Sequence, residues 1–304
     1  MPRYSHVQQI VEQTKKPDWL RVRAATGKNP ETIRTILRAH NLHTVCEEAH
    51  CPNVGECWGG GTATFMLMGD VCTRGCRFCM VKSGNPTGEL DLLEPIKIAR
   101  AIAELQLKYV VITSVDRDDL PDGGAEHFAS TIRTIKKHDP NVVTEVLIPD
   151  FRGDQGCIRK IVNAKPEVIA HNIETTALLT SKIRDSRATY KQSLQVLESI
   201  KEFDRKVYSK TSIMLGLGET EEDIIDTMRD LRKVEVDILT LGQYLSPSKG
   251  HIPVTEFVSV SRFEYFKKVA DEMGFLYVAS GPLVRSSYRA AEFFIEALIR
   301  QRRT

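Results

Sequence analysis

Six of the seven cysteines fall between positions 46 and 79, as the triplets Cys46-x4-Cys51-x5-Cys57 and Cys72-x3-Cys76-x2-Cys79. Thiols crowded in this way do not resemble an even disulfide framework spread through a small secreted domain. In a reducing compartment such clusters hold metal. The second triplet lies within one short loop, close enough to wrap one side of a cubane iron-sulfur cluster. Three ligands for four irons leave one iron open to a small chelating molecule. The competing use of such thiols is a zinc site, but zinc usually pairs C-x2-C with a second Cys or His pair. His40, His43 and His50 flank the first triplet and are alternative metal ligands or ordinary solvated or core histidines. Cys157 stands between Gly156 and Ile158 and reads as a small buried residue without a function.

The chain that must position these thiols alternates β-rich apolar runs with amphipathic stretches, the pattern of βα units on a parallel sheet. Strands are expected over residues 63–68, 109–115, 142–148, 168–173, 209–215 and 237–244. Helices are expected over 94–107, 125–138, 190–203, 221–234 and 262–273, with Thr220 and the acids after it as an N-terminal cap. Six such units fall two short of a closed eight-unit barrel. The expected fold is therefore α/β, a partial (β/α)6 TIM-like barrel, with its functional face at the strand C-terminal ends. Residues 1–61 form an N-terminal extension carrying the first triplet, 62–274 the partial barrel, and 275–304 a C-terminal extension.

Three strand ends carry polar residues toward that face. The first strand runs into Gly69-Asp70-Val71-Cys72, which places the second triplet in the loop after it. Ser114 and the 116–119 segment end the second strand, and His171, Asn172 and Glu174 end the fourth, with Asn172 and Glu174 on one face by strand alternation. Strand-end turns or helix caps would use the same residues. Gly216-Leu-Gly-Glu219 lacks the third glycine of a dinucleotide fingerprint, so it reads as a tight strand-to-helix turn. A last β-like run over 275–280 precedes Ser286 and Ser287, which as residues alone read as N-caps of a helix over 288–300.

Composition is that of a globular enzyme: 304 residues, 27% charged, net charge +2. No basic run marks a nucleic-acid footprint, and the ending Arg300-Gln301-Arg302-Arg303 reads as a solvated tail or a dock for an acidic partner. No secretory signal and no long apolar span is present, so a cytoplasmic location with no membrane partner is expected.

The Cys72-x3-Cys76-x2-Cys79 loop after a first barrel strand, with Phe78 before its last cysteine, resembles the radical S-adenosylmethionine (SAM) superfamily. Within it, the chain resembles the lipoyl synthase family. The residues that carry this are Lys16-Pro-Asp-Trp-Leu-Arg21, Cys51-Pro-Asn-Val-Gly-Glu-Cys57-Trp58, Thr62-Ala-Thr-Phe-Met-Leu-Met-Gly69, Val71-Cys-Thr-Arg-Gly-Cys-Arg-Phe-Cys79, Ile112-Thr-Ser-Val-Asp-Arg-Asp-Asp-Leu120, His171-Asn-Ile-Glu-Thr175, Arg184-Asp-Ser-Arg-Ala-Thr-Tyr190, Gly216-Leu-Gly-Glu219 and Arg285-Ser-Ser-Tyr288.

The resemblance implies two 4Fe-4S clusters and SAM as cofactors. Cys72, Cys76 and Cys79 would bind the cluster that cleaves SAM to a 5′-deoxyadenosyl radical. Cys46, Cys51, Cys57 and Ser287, less favourably Ser286, would bind an auxiliary cluster consumed as sulfur donor. A hard serine oxygen should hold iron more weakly than thiolate, giving that cluster a labile corner. Phe78, Ser114, Asn172, Glu174 and Arg187 are the implied SAM contacts. The implied reaction converts octanoyl-lysine on a carrier domain to lipoyl-lysine by sulfur insertion at C6 and C8, using two SAM per product. Partners would be octanoylated lipoyl carrier domains (E2 subunits, the glycine cleavage H protein), an external electron donor and an iron-sulfur cluster carrier. Arg285 would help position the carrier segment. A biotin-synthase-like enzyme acting on a free small molecule lacks an account of the first triplet and of the Arg-Ser-Ser-Tyr motif. A structural zinc or cluster protein leaves the barrel-mouth motifs unexplained.

Overall fold

The computed structural model describes residues 17–20, 28–49, 51, 53–59, 64–287 and 297–299. Before the barrel come α1 (Lys28–His40), the short edge strand β1 (His43–Thr44), α2 (Val45–Glu48) and α3 (Val54–Gly59). The barrel opens with β2 (Thr64–Leu67), followed by the two-residue strands β3 (Val71–Cys72) and β4 (Lys82–Ser83), which pair with each other around the cysteine loop. Then α4 (Glu94–Glu104), β5 (Tyr109–Ser114), α5 (Ala125–His138), β6 (Val143–Leu147), α6 (Gln155–Asn163), β7 (Val168–Ala170), α7 (Ala177–Ile183) and α8 (Tyr190–Phe203) alternate along the chain. The series ends with β8 (Tyr208–Leu215), α9 (Glu221–Lys233), β9 (Ile238–Gln243), α10 (Val260–Glu272) and β10 (Tyr277–Gly281).

The six expected strands pair in sequence order as one parallel sheet, and the run after residue 275 adds β10 in parallel beside β9. β1 closes the other edge antiparallel to β2. The partial α/β barrel is thus extended at both edges by the flanking segments. Helices α1, α6 and α7 were not among those read from sequence. The expected helix over 288–300 lies outside the described residues except at 297–299, and so do residue 63 of the first expected strand and the basic ending.

Alternation sorts the core. Val110, Ile112, Val146 and Ile169 pack against the helices, while Tyr109, Val111, Val143, Val168, Tyr208 and Ile238 pack together on the opposite face of the sheet. Leu298 and Ile299 join this second group from the C-terminus. The same inner face holds a buried ion pair, Lys210 Nζ to Glu145 Oε1 at 2.6 Å with each side chain 1% exposed, and Tyr109 donates its hydroxyl to Glu145. Such a pair is tolerated because its polar atoms are satisfied. The expected cap on α9 is a capping box in which Thr220 and Asp223 satisfy each other's backbone amides.

His171, one residue beyond β7, is buried and fixes that strand end. Its Nδ1 donates to the Ile148 carbonyl at 2.9 Å, and its Nε2 accepts from the Ser193 hydroxyl at 2.9 Å. Burial, reinforced by nearby Arg184, pushes its pKa down to about 4. The unfolded chain therefore takes up this proton first, so stability falls as pH drops from the ordinary histidine value toward about 4. Thermal or denaturant unfolding of the metal-free chain should show a loss of roughly 3 kcal/mol across that window. H171Q, compared over the same range, should lack this component.

Candidate functional site

The cysteine loop is organised by the residue inside it. Arg74 is 2% exposed and meets three carboxylates: Nε reaches Asp118 Oδ2 at 2.9 Å and Asp116 Oδ1 at 3.4 Å, and Nη1 reaches Asp150 Oδ2 at 2.6 Å. Its Nη2 completes forked pairs with Asp118 and Asp150. Burial alone would lower the Arg74 pKa, but its bonds to Asp118 and Asp150 more than offset this and raise it. Burial opposes ionisation of Asp150 too, yet its bonds to Arg74 hold it down at about 2. Asp116 is the odd member. Burial, aided by Asp150 and Asp118, pushes it up to about 6 against the pull of Arg74.

This hub joins the loop to the segments after β5 and β6. Thr73 adds two bonds to the Asp116 carbonyl, at 2.9 Å from its amide and 3.0 Å from its hydroxyl. On the other side, Gly75 N–H donates to Asp185 Oδ2 at 2.9 Å, and Arg77 N–H to the Ile183 carbonyl. His251 donates from Nε2 to the Cys79 carbonyl at 3.0 Å, which leaves its Nδ1 to accept from Ser248. The loop is fixed before any metal arrives.

The three sulfurs are half-buried. Burial, then Asp116, pushes the Cys72 thiol up to about 12; burial pushes Cys76 up to about 11 and Cys79 up as well. Iron must therefore displace protons that the polypeptide itself retains. Backbone amides already face two of the sulfurs, Arg74 N–H to Cys72 at 3.4 Å and Asp185 N–H to Cys76 at 3.3 Å.

Beside the thiols lie polar atoms without a partner: Ser114 Oγ, Asn172 Oδ1 and Arg184 Nε are buried and unbonded. Asn172 Nδ2 donates to Glu174 Oε1 at 3.1 Å, so these two side chains do share a face, and Glu174 holds a left-handed backbone (φ 67). Burial pushes the Glu174 carboxyl up, and Arg184 pulls it back down. Phe78 joins an apolar group with Ile183, Leu217, Tyr244, Met214 and Ile252. Orphaned donors and acceptors next to an apolar wall fit a ligand with charged and aromatic parts.

Arg187 stands elsewhere. Its guanidinium is 46% exposed and spent on Asp185, Asp118 and the Thr73 carbonyl. It braces the loop from outside, and Arg184, which the sequence reading quoted without a role, is the arginine beside Cys76, Asp116 and Glu174. Gly216-Leu-Gly-Glu219 is a tight turn in which Glu219 accepts the Gly216 and Leu217 amides at 2.6 and 2.9 Å. Cys157 is buried, donating to the Asp122 carbonyl at 3.4 Å.

A second cavity is lined by Cys46, Cys51, Cys57, Asn53, Arg285 and Ser287. It joins residues from both ends of the chain. Asn53 is buried and donates to the Leu283 carbonyl at 2.7 Å. Gly242 of β9 allows the C-terminal strand-turn to close over: a Cβ there would sit 2.1 Å from the Val284 carbonyl oxygen. The Arg285 side chain donates to the Val284 and Pro282 carbonyls but pairs with no carboxylate among the described residues. Burial pushes its pKa down, and Cys51 pulls the other way. A buried cation facing thiols fits an anionic occupant. Trp58 is also buried, and against the larger effect of burial, which pushes the Cys46 thiol up, its indole favours the thiolate.

His40 and His43 do not line this cavity, being bonded to Glu104 and Glu48, and His50 lies outside the described residues. Among the described residues, no three His, Cys, Asp or Glu side chains meet as donors for a single metal ion. A cubane takes its ligands at separate corners, so its thiols need not converge.

The profile described as "Radical SAM superfamily" matches residues 66–231. Solved structures share the fold at low identity: methylornithine synthase (PylB), TM-score 0.54, 13% identical, covering 87% of this chain and 85% of that one, and the FeFe-hydrogenase maturase HydG from Carboxydothermus hydrogenoformans, TM-score 0.52, 13% identical, covering 91% and 72%. An open parallel barrel with a three-thiol loop after its first strand, matched in this way, defines a radical SAM enzyme, and that class implies a 4Fe-4S cluster and SAM.

The profile "N-terminal domain of lipoyl synthase of Radical_SAM family" matches residues 4–51. Curated relatives include the lipoyl synthase of Myxococcus xanthus, 55% identical over 97% of this chain and 98% of the relative, and the mitochondrial lipoyl synthase of Bos taurus, 54% identical over 96% and 80%. The apicoplast lipoyl synthase of Plasmodium knowlesi is 54% identical over 95% and 65%. The chain belongs to the lipoyl synthase family, and its function is that of a radical SAM lipoyl synthase.

Two variants separate the sites. R74M strands three carboxylates and should cost about 3–5 kcal/mol in denaturant unfolding while lowering the iron bound on anaerobic reconstitution. G242A should displace the Val284–Ser287 segment and halve the bound iron, leaving SAM cleavage to 5′-deoxyadenosine intact.

Proposed function

We propose that the lipoyl synthase reaction is divided between the two cysteine sites: Cys72, Cys76 and Cys79 carry the cluster that works with SAM, and Cys46, Cys51, Cys57 and Ser287 carry a second 4Fe-4S cluster that gives up its sulfur. The observation that supports this most is the shared cavity of Cys46, Cys51, Cys57 and Ser287, assembled from residues at opposite ends of the chain. A helix cap has no need of thiols, and a lone thiol triplet has no need of serine. When bound, these groups supply the radical that removes hydrogen at C6 and C8 of octanoyl-lysine and the sulfur that replaces it.

The chain's own residues bind and orient. Asn172, Glu174, Ser114 and Arg184 offer unmet polar atoms and charge to the two ends of SAM, and Phe78 offers an apolar surface to its adenine. Arg187 holds the loop through Thr73 and Asp118. Arg285 offsets the negative charge of thiolate-bound iron, a role distinct from gripping the carrier. Ser287, the harder donor, marks the corner at which iron can leave.

The division into an N-terminal cluster extension (1–61), the barrel (62–274) and a C-terminal extension (275–304) follows the same reading. So do the partners: octanoylated carrier domains, an external electron donor and a cluster carrier. Among the described residues no helix is long and apolar enough to cross a membrane. Clustered free thiols suit a reducing compartment, and we place the chain in the cytoplasm, although relatives carry mitochondrial and apicoplast names.

The test is anaerobic iron and sulfide analysis of the reconstituted protein and C46A, with mass spectrometry of an octanoyl-lysyl peptide after reduction with SAM. About eight irons in the parent and about four in C46A are expected, with two sulfurs added by the parent alone. Four irons or fewer in the parent, or 5′-deoxyadenosine without sulfur on the peptide, would overturn the reading.

A further inference from the structure

Ser193 stands where packing alone favours an apolar residue. On α8 it falls in register with Val196, Leu197 and Ile200, the i, i+3, i+4 and i+7 positions of one face, and all four are 0% exposed. A hydroxyl there lowers helix propensity and is tolerated in the core only if its hydrogen bonds are made. Its Oγ accepts from Arg184 Nη1 at 2.7 Å and donates to His171 Nε2 at 2.9 Å. The direction of this chain of bonds is fixed at its far end. His171 Nδ1 donates to the Ile148 carbonyl at 2.9 Å, so Nε2 can only accept. The serine hydrogen is thereby committed to His171, and the serine lone pairs face the guanidinium.

Arg184 has little else to hold it. Among the described residues its guanidinium pairs with no carboxylate; Nη1 also reaches the Ile173 carbonyl, at 3.4 Å, and Nε is buried without a partner. The amide of the next residue, Asp185, faces the Cys76 sulfur at 3.3 Å, which places Arg184 beside the thiol loop. The side of a guanidinium that carries Nε offers two parallel donors, a geometry that matches a carboxylate. SAM carries a carboxylate on its methionine moiety. We propose that Ser193 is a positioning residue for SAM: through its bond to Nη1 it fixes the Arg184 guanidinium with the Nε side turned to that carboxylate. This rests on the reading of Arg184 as a SAM contact and deepens it by naming what aims the side chain.

Ser193 acts on SAM only through Arg184, so its loss should weaken SAM binding and leave the turnover of bound SAM nearly unchanged. Its contribution should also vanish once Arg184 is gone, because two residues that act through one contact are not additive.

The test is a double-mutant cycle on SAM binding, read by anaerobic equilibrium dialysis of the reconstituted protein with radiolabelled SAM. S193A should bind SAM about tenfold more weakly than the parent, R184Q at least as weakly, and S193A/R184Q no more weakly than R184Q. At saturating SAM, 5′-deoxyadenosine formation by S193A should stay within about twofold of the parent. A purely structural role would instead carry the same loss into both backgrounds. If S193A does not load with iron, S193T and S193V take its place. They share one shape, and S193T, which alone keeps the hydroxyl, should bind SAM about tenfold more tightly than S193V. Unchanged affinity in S193A, an equal loss in both backgrounds, or S193T and S193V binding alike would overturn the proposal. Parental affinity in R184Q would instead remove Arg184 as a SAM contact, and the proposal with it.

Discussion

One buried guanidinium holds the 72–79 cysteine loop in place. Arg74 lies within the cysteine loop, and its three carboxylates come from the segments after two further barrel strands. Without a fixed cation there, Asp116, Asp118 and Asp150 would repel one another in a poorly hydrated pocket, and the loop would lose its ionic tie to the segments after β5 and β6. With it, the loop's geometry is decided by the protein and not by the cluster. Two backbone amides then face the sulfurs of Cys72 and Cys76, and Ser114, Asn172 and Arg184 keep buried polar atoms without a partner among the described residues. The cost of burying so much charge is accepted where it positions chemistry, as elsewhere at functional sites.

The second site is organised differently. Among the described residues it has no comparable ionic hub; its cation, Arg285, pairs with no carboxylate there, and the site's structure comes from backbone closeness. Gly242 and the Asn53–Leu283 bond bring the chain's ends together. A site meant to hold a cluster permanently would profit from compensation inside the protein. On the proposed reading, an anionic occupant would supply the counter-charge that the described part of the chain does not.

Much of this was legible from residues alone. Strand periodicity and βα alternation located six strands within a few residues each, because burial on both faces leaves long apolar runs. The Cys72–Cys79 spacing pointed to the 4Fe-4S cluster that the radical SAM class implies. The helices α6 and α7 escaped because they are short, and their apolar positions are too few to establish a period. Within the site, Asn172 and Glu174 could be paired by alternation, whereas Arg184 and Arg187, three apart in one motif, could not be told apart until the turn between α7 and α8 aimed one inward. Arg74, Asp150, Asn53 and Gly242 depend on contacts between distant segments, which no local pattern encodes. Charge balance was the one available clue: an arginine flanked by cysteines must find acids somewhere.

The contacts of the two sites differ in their span along the chain. The ion pairs around Arg74 span at most 76 positions of the chain, although the apolar wall beside Phe78 also needs Leu217, Tyr244 and Ile252. The Asn53–Leu283 bond joins residues 230 positions apart, and Ser287 lies beyond it. The second pocket therefore closes only when residues near position 283 have joined those near position 53. A substitution that loosens closure of the barrel should therefore reach the thiols of this pocket before it reaches the ion pairs around Arg74.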